Sequence, residues 1–144
     1  MKTIVLRYSD SFAPADGTLA EHEKLIKAEG YAWWGKKGPK ISPAVVRDIM
    51  KNEPCRIILV RGASKERYWA TVEKITDGCT EKAMVPEYYR ADTIFYGSFL
   101  KIVKIERAEE NVLSKCFVCT TGKQLSEIIN KAMASYYIVD FKDE

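Results

Sequence analysis

The sequence has little of what most often carries catalysis or binds metal. It holds one histidine, His22, and four cysteines, Cys55, Cys79, Cys116 and Cys119. Cys116 and Cys119 have the spacing of half a zinc site, but they fall in a stretch that reads as a strand, where residues three apart point to opposite faces. With no second close pair, no metal and no cofactor are expected, and the thiols should be reduced and mostly buried. No serine-hydrolase elbow is present, and the scattered acids yield no catalytic pair. Thr121 to Gln124 lacks the earlier glycine that a phosphate loop requires. No apolar run is long enough to cross a membrane, and the apolar stretch after Met1 is too short for a secretion signal, so a cytoplasmic location is expected. Internal repeats and low-complexity segments are missing as well.

What is there describes one folded domain over residues 1–144, with 47% hydrophobic and 30% charged residues. The net charge of +3 says little until its distribution is read. Between Trp33 and Lys51, the cations Lys36, Lys37, Lys40, Arg47 and Lys51 stand against Asp48 alone, more than the whole excess of the chain. Such a patch fits a phosphate-facing surface; a solvated loop and helix face would look the same.

The densest stretch is Tyr31 to Gly38, where Trp33 and Trp34 meet Lys36, Lys37, Gly35 and Gly38. An indole can stack on a base, a lysine can meet its phosphate, and glycine lets a ligand approach the backbone. Two readings stand together: an aromatic pocket for a flat anionic ligand, or a strand with one tryptophan in the core and one half covered.

Along the chain, residues 3–9 read as an opening strand. Thr18 and Glu21 form a capping box for a helix whose inner stripe is Leu19, His22, Leu25 and Ile26, ended by Gly30. Its place on that stripe makes His22 a packed imidazole before it is a base. Ser42 and Pro43 start a second helix burying Val45, Val46 and Ile49. Residues 55–61 are apolar enough for a central strand covered on both faces, returning antiparallel through a hairpin loop into residues 67–75. The span 85–90 suggests a helical turn. Residues 93–106 read as a long strand that Gly97 bulges or bends, and 112–120 as another. Thr121 and Gln124 should cap a helix bearing Leu125, Ile128, Ile129, Ala132 and Met133, before a last strand at 136–139. The fold class is α+β, a small, mostly antiparallel curved sheet or barrel with three helices packed around it.

This order of elements resembles the PUA-like superfamily, most closely its EVE and YTH-like branch, over roughly the first 75 residues. Trp34-Gly35-Lys36 stands where members carry a tryptophan-containing segment against the barrel, and Arg7 to Asp10 is a loose counterpart of their Lys-Ser-Glu-Pro. Ile58 to Arg61 matches their apolar strand without its aromatic and histidine, and their acidic and asparagine pocket positions are absent. The resemblance implies a binding module, often associated with restriction or RNA-processing machinery, that holds a modified base of DNA or RNA in an aromatic pocket. Tyr31, Trp33, Trp34, Gly35 and Ser9 would then form the pocket, and Lys36, Lys37, Lys40, Arg47 and Arg61 would meet phosphates. Two alternatives are an ASCH-type enzyme drawing on His22, Glu73, Asp92 or Glu106, and a protein-interaction or small-ligand domain using the aromatic patch as an interface.

Overall fold

The structure is a computed structural model that describes residues 1–11, 13–61, 65–79, 81–91, 96–131 and 134–143. The described residues form seven strands: β1 (Lys2–Tyr8), β2 (Ala32–Lys37), β3 (Arg56–Arg61), β4 (Arg67–Thr76), β5 (Tyr96–Arg107), β6 (Cys116–Val118) and β7 (Tyr136–Phe141). They form a single sheet in the order β2-β5-β4-β3-β1-β7-β6, antiparallel throughout except for the β1–β3 pair. Among the described residues three α-helices accompany it: α1 (Gly17–Glu29), α2 (Pro43–Met50) and α3 (Leu125–Ile128). The expected α+β class is what the chain adopts.

β1 and β3 lie at the centre, and their near-continuous apolar runs serve both faces. Ile4, Leu6, Ile57 and Leu59 point into one core with Trp34, Ile41, Ile49, Leu100 and Ile102. Val5, Ile58 and Val60 point into a second with Trp69, Leu113, Leu125, Ile129 and Val139. The sheet curls around the first core. Tyr8 of β1 meets Trp34 of β2 edge-on with ring centroids 5.4 Å apart, although three strands separate them in the sheet. Extra residues in β5 supply part of this bend: Lys36 and Lys37 oppose Ser98 and Tyr96, so Gly97 is the added residue of a bulge, as its place in a β-rich run suggested. A Cβ on Gly97 would come within 2.2 Å of the Gly38 carbonyl oxygen, so only glycine fits.

Gly30 ends α1 with φ 92°, and the Ser42 hydroxyl accepts from the Val45 amide at 3.3 Å, both as the sequence signals require. Other local expectations need correction. The Thr18–Glu21 capping box does not form: Asp10, eight residues upstream, takes the Thr18 amide at 2.9 Å, and the Thr18 hydroxyl donates to the Ser9 carbonyl at 2.8 Å. Residues 112–115 are a 3-10 turn that plugs Val112 and Leu113 into the second core, leaving only Cys116–Val118 as strand. Thr121 and Gln124 make no capping box, because the Gln124 side-chain amide donates to the Ser114 carbonyl at 2.6 Å. Ala132 and Met133 of the expected last helix, and Thr93 of the expected long strand, lie outside the described residues. Cys55 and Cys116 are buried, Cys79 is half-buried and Cys119 is exposed, so burial of the thiols holds for two of the four.

Candidate nucleic-acid interface

A cavity of about 600 Å³ opens where the C-terminal ends of β1 and β3 meet the start of α1 and the second half of β2. Among the described residues its aromatic lining comes from four places in the chain: Tyr8, Trp34, the pair Tyr88–Tyr89 and Tyr96. Alternation along β2 turns Trp34 inward. Its indole stacks on His22 with centroids 4.1 Å apart, so one ring face is already covered. Gly35 follows without a side chain for a steric reason: a Cβ there would stand 2.5 Å from the Tyr96 ring, which lies directly on the β2 backbone. Tyr96 stacks on Tyr89 at 5.0 Å and 12°, and Tyr88 meets Tyr89 edge-on at 5.1 Å.

A chain of hydrogen bonds holds this wall in place. The Gly35 amide donates to the Tyr89 hydroxyl at 3.2 Å, and that hydroxyl contacts His22 Nε2 at 2.8 Å. His22 Nδ1 lies 2.8 Å from the Thr18 carbonyl, which can only accept, so the proton of the neutral ring sits on Nδ1 and Tyr89 donates to Nε2. Burial pushes the His22 pKa down to about 4, against the opposing pull of the Thr18 and Trp33 backbone. A fully buried neutral imidazole whose two nitrogens are both engaged orients Tyr89; it has no free nitrogen with which to act as a base.

The charged side chains of the described cavity lining are mostly cationic. Arg61 pairs with Asp10 at 2.7 Å at its edge. Partial burial works to raise the Asp10 pKa, but the Thr18 amide and Arg61 outweigh it and hold the carboxyl below its ordinary range. The Ser9 and Ser11 hydroxyls lie 2.7 Å apart beside this pair. Lys36 is only 4% exposed; its ammonium donates to the Pro39 carbonyl at 2.7 Å and the Lys37 carbonyl at 3.2 Å and sits 4.3 Å over the Tyr136 ring. Lys37 is exposed at the rim.

A family model described as Pua-like matches residues 4–140, nearly the whole chain. The chain belongs to the Pua-like family. Pua-like domains have a fold of nucleic-acid-binding type, which gives the cavity its context. No curated protein and no solved structure matches the chain.

Within this Pua-like domain, six of the ten residues singled out from sequence line the cavity: Ser9, Trp34, Gly35, Lys36, Lys37 and Arg61. The other four do not. Trp33 alternates to the opposite side of β2, where its indole nitrogen donates to Glu81 at 3.4 Å, and Tyr31 donates its hydroxyl to the same carboxylate. Lys40 pairs with Asp77 at 3.6 Å, and Arg47 is exposed on α2. Neither indole stands bare, since Trp33 is 5% and Trp34 4% exposed; the half-buried rings of Tyr88, Tyr89 and Tyr96 offer more surface. Those three tyrosines escaped sequence reasoning. The doublet Tyr88–Tyr89 after Pro86 was the available signal, because two adjacent aromatics in a short irregular segment have no strand face to bury both. Of the residues weighed for catalysis, Glu73 pairs with Lys101 at 3.0 Å and Glu106 with Lys104 at 3.6 Å, both away from the cavity. Asp92 lies outside the described residues. Among the described residues no group of three or more His, Cys, Asp or Glu side chains could hold a metal ion, and no helix is long and apolar enough to cross a membrane.

Proposed function

We propose that this Pua-like domain is a non-catalytic reader that takes one extruded base of DNA or RNA, in EVE or YTH-like fashion, into the cavity between β1, β2 and the Tyr88–Tyr89 turn. The observation that carries this is a concavity of about 600 Å³, within the ~300–1,000 Å³ of ordinary small-ligand sites, walled by aromatic rings and edged by cations. A base flipped from its stack needs flat apolar walls and a few polar groups at its edge. Tyr88, Tyr89 and Tyr96 supply the walls over Trp34, and Ser9, Ser11 and Asp10 supply donors and acceptors. Lys37 and Arg61 at the opening suit the flanking backbone. A methyl on the base would gain about 1 kcal/mol from burial against such rings, enough for a preference. Fluorescence anisotropy of single- and double-stranded DNA and RNA oligonucleotides, plain and modified, should show salt-sensitive binding that Tyr89→Ala abolishes. Absence of binding to the whole panel at low salt would remove the proposal.

A further inference from the structure

The cavity holds a charge that no described carboxylate balances. Lys36 is 4% exposed and lines the cavity, and among the described residues no carboxylate pairs with it. Its ammonium is met by two carbonyl oxygens and one aromatic face, which satisfy donors without supplying a counter-charge. A buried cation of this kind is costly to keep unless something anionic completes it. Among the described residues Asp10 is the one carboxylate in the cavity lining, and it is already committed to Arg61 and the Thr18 amide. Lys36 and Arg61 against Asp10 leave the described lining positive. A low-dielectric concavity of one sign concentrates ligands of the other.

Building on the base-reader function, we propose that the ligand enters with a phosphate group inside the cavity, so that the domain takes a nucleotide by its base and phosphate together, with the buried charge of Lys36 selecting the phosphate. Nucleic acid then binds with one phosphate drawn in beside the extruded base. The remaining phosphates stay on the exposed rim. Arg61 can pass from Asp10 to that phosphate, exchanging one ion pair for another.

The test uses the four nucleosides and their 3′- and 5′-monophosphates, titrated into the whole protein at constant ionic strength with intrinsic tryptophan fluorescence as readout. At least one monophosphate should bind about tenfold or more tighter than its nucleoside. Inorganic phosphate, with ionic strength matched by chloride, should displace the monophosphate and leave the nucleoside bound. Lys36→Gln keeps a donor for the two carbonyls while removing the charge. It should bring the monophosphate-to-nucleoside ratio close to one. Because the phosphate competition needs only the unmutated protein, the proposal stays testable even if that variant misfolds. Equal binding of nucleoside and monophosphate, with oligonucleotides still bound, overturns the phosphate assignment and leaves the base reader standing. Failure of nucleosides, monophosphates and oligonucleotides alike overturns both.

Discussion

Trp33 and Trp34 are adjacent in the chain and equally covered, at 5% and 4% exposure, yet they belong to different parts of the molecule. Trp34 faces into the curl of the sheet, between His22 and Tyr8 and against the cavity. Trp33 faces the other way, tethered to Glu81 beside Tyr31 and Lys101. Burial therefore does not separate a cavity-lining residue from one packed elsewhere here. What separates them is which side of β2 each takes, and one residue of register would exchange them.

Substitution at the two positions probes that difference most strongly. Trp34→Ala should cost about 3–5 kcal/mol of stability, as large-to-small core changes do. The gentler Trp34→Phe should retain the fold and still weaken oligonucleotide binding. Trp33→Phe should leave binding unchanged when both proteins are compared by urea denaturation and anisotropy. Equal loss of binding from both would erase the distinction.

Acid comes next, because His22 supports only the Trp34 side. The unfolded chain takes up a proton near 6.5, whereas the folded protein resists until about pH 4, so the unfolded state binds more protons between those values. Stability is then complete above pH 6.5 and falls as the pH drops toward 4, by about 3 kcal/mol at 1.36 kcal/mol per unit. Urea midpoints measured across this window should show the fall in the native protein and a flatter profile in His22→Gln. Identical slopes would mean that the imidazole is not held neutral.

A smaller effect is expected at Gly35. Gly35→Ala forces the Tyr96 ring away from β2 and should cost about 1–3 kcal/mol, with weaker ligand binding because the wall moves. The smallest effect belongs to the Trp33 side: Glu81→Gln loosens its exposed contact with Tyr31 and should barely shift the urea midpoint, with no change in binding.

Much of the fold could be read from the chain, because its local signals agree with its tertiary ones. Gly30, Ser42–Pro43 and the two-sided run of β3 each act within a few residues of themselves. The site was legible only in part. Trp34, Gly35 and Lys36 stood out by composition, but their alternation sends Trp33 away, and the register was not decided by sequence. Tyr88, Tyr89 and Tyr96 arrive from more than fifty residues downstream through a 3-10 turn and a bulged strand, which no periodic pattern announces. The same long reach explains the misread start of α1, where Asp10 does what a residue next to the helix usually does.

The most direct test of the cavity as the binding site is a titration of 15N-labelled protein with an oligonucleotide at low salt, following the two indole N–H resonances on either side of β2. The Trp34 signal should move with saturating ligand while the Trp33 signal stays in place. Movement of Trp33 alone, or of neither while the oligonucleotide binds, would contradict the assignment of the cavity as the base pocket.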